Sequence, residues 1–164
     1  MQLFVLHKII AEAMMPDWMR FVLRYLVATL LCFTLASIAH SQMVLWGLQQ
    51  QAIVIPPFER LQMTLSDWWG LLPTYGSVIA VGLLIALLVA TWLSRKTGPW
   101  GGLVFGLAGA VALLSILLAM QPIMDITLIA GARSHMGLLL QVSAGFIGGL
   151  VFYWLRKKPK RHFD

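Results

Sequence analysis

The stretch YGSVIAVGLLIALLVATWLSRKTGPWGGLVFGLAGAVALLSILLAM, residues 75–120, decides the fold. It holds two long apolar runs, and its only charges are Arg95 and Lys96 in the short connection between them. Spanning the hydrocarbon of a bilayer takes about 20 predominantly apolar residues. Residues 75–93 and 101–120 therefore each read as a transmembrane helix. Gly98-Pro99 closes them into a tight hairpin, because proline ends one helix and can start the next.

Two further runs of the same kind lie outside this stretch. Residues 21–48 open with Arg20 and Arg24, and residues 136–155 run into the basic tail. The expected fold class is an all-α membrane protein: a four-transmembrane-helix bundle formed as one integral membrane domain over residues 1–164. Composition agrees. Of 164 residues, 60% are hydrophobic and 11% charged, with a mean hydropathy of +0.84. Soluble chains carry about 25% charged residues, and a small soluble core cannot hide this much apolar surface.

Charge sets the orientation. Lys8, Arg20, Arg24, Arg95, Lys96, Arg156, Lys157, Lys158, Lys160 and Arg161 fall on one side of the four spans, and only Arg60 and Arg133 on the other. Cytoplasmic loops collect Lys and Arg. Residues 1–20 and the tail 156–164 are thus expected in the cytoplasm, with 49–74 and 121–135 outside. Trp18, Trp46, Trp68, Trp69, Trp92, Trp100 and Trp154 all fall near predicted interfaces, where aromatic belts form. The basic balance reflects these flanks, which suit anionic lipid, and not a nucleic-acid surface. Met14-Met15 offers an alternative start. Arg20 to Ala39 also has the form of a signal peptide, but the apolar run continues past Ala39, so this span is expected to remain uncleaved.

The external connection 49–74 contains an amphipathic segment. In residues 57–72, Phe58, Leu61, Leu65, Trp68 and Leu72 recur at helical spacing among Glu59, Arg60, Gln62, Ser66 and Asp67. Pro57 suits the first turn, and the helix is expected to lie at the outer interface.

Catalytic signals are sparse, and no catalytic residue is assigned. No acidic or basic residue falls in the middle of a span, which disfavours a proton-coupled transporter. Cys32 is the single cysteine, so no intrachain thiol–disulfide relay exists. Polar groups concentrate toward the outer end. His40, Ser41, Gln42, Asp125, Arg133, His135 and Gln141 form a candidate ligand or head-group patch. His40 and His135, with Asp125, can be read as haem or metal ligands. Arg133 and His135 can be read as gripping a lipid head group or a quinone. Ser41, His40 and Asp125 can be read as a hydrolase set. The preferred reading is architectural: Asp125 pairs with Arg133, and Ser134 and His135 cap the last helix. No cofactor or metal is expected on that reading.

Small residues recur at helical spacing. Gly102, Gly106 and Ala110 form one stripe, and Ala144 with Gly148 and Gly145 with Gly149 form two more. Such spacing lets helix backbones approach closely, within the chain or against another membrane protein. Asp-Ile-Thr-Leu-Ile-Ala-Gly-Ala-Arg-Ser, residues 125–134, followed by a Gly-rich helix to Phe152, resembles small uncharacterised proteobacterial inner-membrane proteins. That resemblance implies a bacterial inner membrane and no particular activity. The single cysteine departs from paired-cysteine membrane quinone reductases, and the lack of an embedded Glu departs from small multidrug transporters. The expected function is a non-enzymatic accessory or scaffold subunit whose Gly-rich helices contact a partner or a second copy. A lipid-, quinone-, haem- or metal-binding protein and a small transporter are the alternatives.

Overall fold

A computed structural model describes residues 16–51, 54–124 and 134–157, and every structural statement below concerns these. Five α-helices follow in order: α1 (Asp17–Gln50), α2 (Pro57–Leu71), α3 (Ser77–Thr97), α4 (Gly101–Met124) and α5 (His135–Arg156). Residues 1–15 and 158–164, with their basic groups, lie outside the described residues.

Four helices are long and apolar enough to cross a membrane: α1, the combined Pro57–Thr97 helix, α4 and α5. At 1.5 Å per residue, the 24 residues of α4 and the 22 of α5 give about 36 and 33 Å. Those lengths match a hydrocarbon core of about 30 Å. The 34 residues of α1 give about 51 Å, so it outruns the core.

One boundary differs from the sequence reading. The amphipathic segment and the next span were expected to be separate, with a break near Thr74. They are instead joined by a π-helical turn, Leu72–Gly76, into one run of 41 residues. Pro73 has no N–H to give to the residue four back, so the helix widens by one residue there and continues. Helix α4 likewise runs four residues beyond the expected end at Met120.

The chain reverses between α3 and α4 through a 3₁₀ turn, Gly98–Trp100. Gly98 has φ 52° and ψ −115°, a backbone conformation that a Cβ would strain. Helix α2 begins at Pro57, where a missing N–H has no consequence. Helix α5 begins under a side-chain cap: Ser134 Oγ accepts from the Gly137 N–H at 3.0 Å.

Each long helix buries one face and exposes the other. Ala28, Cys32 and Ala36 of α1 meet Ile79, Leu83 and Leu87 of α3, Phe105 and Leu113 of α4, and Ala144 and Phe152 of α5. Leu26 and Leu30, Val81 and Ile85, Leu107 and Val111, and Leu139 and Ile147 are exposed on the opposite faces. No more than 33% of any spanning segment is buried within the chain. An apolar surface this continuous suits a lipid solvent.

The closest approach is between α4 and α5. A Cβ on Gly109 would run into the Gly145 carbonyl, and one on Gly149 into the Phe105 carbonyl. On another side of α5, a Cβ on Gly148 would come within 2.8 Å of the Cys32 Cβ of α1. The two glycine stripes thus bring α5 against α4 and α1 simultaneously. Such contact gives dispersion energy that lipid tails cannot match.

At the basic end α5 touches both α1 and α3. Phe21 meets Phe152 edge-on at 5.5 Å, and Arg156 reaches Thr91. Away from that end, Tyr25 of α1 donates to the carbonyl of Ala80, in the first turn of α3, at 2.6 Å. Helix α2 adjoins the other end of the bundle.

Candidate functional site

The polar residues at the end opposite the basic termini are held by helix pairing. Ser41 is buried on α1, and its hydroxyl lies 2.7 Å from Asp67 Oδ2 of α2 and 3.2 Å from the Ser37 carbonyl. Gln42 is exposed, with Nε2 3.5 Å from Thr64 Oγ1. One turn from Thr64, Trp68 donates its indole N–H to Thr34 Oγ1 at 3.2 Å and tilts against Phe33 at 5.6 Å. Three consecutive contact positions on α2 therefore grip the stretch Phe33–Gln42 of α1. The spacing of 64, 67 and 68 puts them on one helix face, as i, i+3, i+4 neighbours must be.

Gln141 faces inward, not toward an open patch. It is buried on α5, accepts from the Tyr75 hydroxyl at 3.0 Å and donates to the Ala36 carbonyl at 2.9 Å. One amide side chain thereby ties three helical segments. A buried amide without such partners would be costly in an apolar interior.

The remaining sequence candidates fall apart in location. His40 is half-buried on α1 and engaged in an interaction, and His135 is exposed in the first turn of α5. Asp125 and Arg133 lie outside the described residues. So do the ion pair expected between them and the third ligand that the haem or metal reading takes from Asp125. Among the described residues, no three His, Cys, Asp or Glu side chains gather as metal ligands do.

Of the small residues, Gly102 faces the Tyr153 ring, Gly106 faces Phe146, and Gly145 faces Gly109 and Leu113. Ala110, Ala144, Gly148 and Gly149 are buried. All of these positions are occupied by neighbours within the same chain.

The sequence does not point to the roles of two residues at this end. Tyr75 was noted only as the edge of a span, yet it is fully buried and bonded to Gln141. Asp67, which the sequence offers only as one polar residue of the amphipathic segment able to join the outer patch, specifically binds Ser41. A signal existed for Asp67: it lies one residue before Trp68, so an aromatic anchor and an acceptor project from the same turn.

Compared with family models, curated proteins and solved structures, the chain matches none.

Proposed function

We propose that this chain is a multi-pass protein of a bacterial inner, or cytoplasmic, membrane, acting as a non-enzymatic accessory or scaffold subunit with both termini in the cytoplasm. One observation carries the reading. Among the described residues, the buried and half-buried polar groups at the end opposite the basic termini fasten helices to one another, through Ser41–Asp67, Thr34–Trp68 and Tyr75–Gln141–Ala36. Hydrogen bonds of this kind, satisfied inside the bundle, rigidify it.

The contact surface moves from where the sequence put it. The glycine faces of α4 and α5 pack against each other and α1, so those faces do not supply an open contact surface. Helix α2 presents a different stripe: Phe58, Leu61, Leu65 and Trp69 are exposed beside the contact positions Thr64, Asp67 and Trp68. In the proposed orientation this external amphipathic helix rests at the outer interface, with that stripe toward lipid or a neighbouring membrane protein. The ten-to-two distribution of Lys and Arg supports the orientation.

Purification from native membranes in a mild detergent tests the role. A defined assembly containing at least one other protein is expected, weakened by Leu61→Ser with Trp69→Ser. A monodisperse monomer that carries no other protein, under conditions that preserve known membrane complexes, would overturn it.

A further inference from the structure

We propose that the basic end of the bundle holds a binding pocket for the phosphate of an anionic phospholipid, built where the α3–α4 turn meets the end of α5. This rests on the membrane reading above, but not on the scaffold role.

A half-open cavity of about 210 Å³ lies at this corner. It is smaller than the roughly 300–1,000 Å³ of pockets that enclose drug-sized ligands. A group of a few heavy atoms fits it, as a phosphodiester head does. Gly98 and Gly101 line one side, so backbone and not side chains bounds it there. A Cβ on Gly101 would lie 3.0 Å from the Tyr153 ring and close the gap. The other walls are Phe105 and Tyr153, whose rings pack at 5.8 Å.

The charge of the lining has one sign. Arg156 and Lys157 border the cavity, and among the described residues no carboxylate does. The Arg156 guanidinium is steered into place by two weak contacts: 3.4 Å to Thr91 Oγ1 and 5.7 Å above the Phe105 ring. Neither neutralises it. The ion pair among the described residues is Arg20 with Asp17, so Arg156 has no carboxylate partner there. A guanidinium offers five N–H donors in a fork that matches phosphate oxygens. The first turn of α4 adds the positive end of a 24-residue helix dipole on the opposite wall.

The position selects lipid over a soluble anion. Trp100 and Trp154 stand exposed at the same end, as aromatic residues do at head-group level. Two cations with no carboxylate beside them among the described residues favour a head group with net negative charge over one carrying its own ammonium.

The test uses the full chain reconstituted in bilayers with equal amounts of phosphatidylglycerol and phosphatidylcholine, followed by native mass spectrometry of retained lipid. Enrichment of phosphatidylglycerol is expected. Arg156→Gln should lower the enrichment about fivefold, the effect of one cation near a membrane surface. Lys157→Gln should lower it too, and Arg60→Gln at the far end should not. Thr91→Val separates charge from fold: it removes the hydroxyl that positions Arg156 but keeps the cation, so most of the preference should remain. Enrichment should also survive a large excess of inorganic phosphate. Its loss there would identify a soluble anion as the occupant and overturn the lipid assignment. Equal retention of the two lipids by an inserted, folded chain would overturn the pocket alone. Release of the chain by alkaline carbonate would overturn the membrane reading and the pocket with it.

Discussion

Gly109 of α4 and Gly145 of α5 meet backbone to backbone, so that a Cβ on either would run into the carbonyl oxygen of the other. Neither group is the end of a flexible side chain, and neither helix can yield locally. The pair fixes the distance between α4 and α5, and the Gly149–Phe105 contact fixes their register one turn away.

Enlarging this contact is therefore expected to pry the helices apart. Gly145→Val should destabilise the protein by about 2–3 kcal/mol, the usual cost of overpacking. For a chain of this size that corresponds to a melting temperature lower by roughly 4–12 °C. Gly47→Ala is the control, because nothing lies within 4 Å of a Cβ there. It should leave the melt unchanged or raise it slightly, since alanine favours a helix over glycine by up to about 1 kcal/mol. Thermal melts followed by circular dichroism in detergent read both.

The Tyr75–Gln141 bond gives a coupling that can be measured. Tyr75→Phe and Gln141→Leu should each destabilise, because each leaves a buried polar partner behind. The double variant removes both partners and should cost less than the sum of the two. A double-mutant cycle is expected to return roughly 0.6–1.7 kcal/mol, the range for hydrogen bonds between membrane helices. Strict additivity would mean that the two side chains do not bond.

The spans were legible because hydrophobic length and flanking charge are local properties. Residues 75–120 declare two helices and the turn at Gly98-Pro99 without reference to anything else. Gly145 and Gly149 were legible as a packing face, but not which face they meet. That depends on Gly109 and Phe105, and Gly109 lies outside the Gly102, Gly106, Ala110 stripe that periodicity picks out. The polar patch fared similarly. Ser41 and Gln141 were identified, but their partners Asp67 and Tyr75 lie 26 and 66 residues away. Spacing along one chain cannot reveal a pairing set by how helices assemble. The join at Leu72–Gly76 was missed for another reason: Pro73 reads as a break, and a π turn absorbs it.

The grip of α2 on α1 should depend on one acceptor and one indole. Asp67→Ala leaves the Ser41 hydroxyl without its near acceptor, and Trp68→Phe removes the N–H that binds Thr34. The pair of substitutions is expected to raise amide hydrogen exchange across Pro57–Leu71 by about tenfold or more, from the loss of two bonds worth about 1 kcal/mol each. Exchange within α4 and α5 should stay as it is. A uniform rise in all helices would show instead that α2 is integral to the whole bundle.

The orientation can be read with cysteine chemistry, because the chain's own thiol is out of the way. Cys32 is fully buried between α1 and α5, so a membrane-impermeant maleimide should leave the parent protein unlabelled. Glu59→Cys places a thiol on the exposed first turn of α2, and Lys157→Cys places one at the exposed end of α5. In intact spheroplasts Glu59→Cys should label and Lys157→Cys should not. After permeabilisation both should label. Labelling of Lys157→Cys alone from outside would invert the topology, and would put the cationic pocket in the outer leaflet. Labelling of both in intact cells would require an even number of crossings between the two sites, where three are expected: α3, α4 and α5. The Lys and Arg distribution makes the first outcome the expected one, since transferring that many cations across the membrane opposes the direction in which short loops are retained.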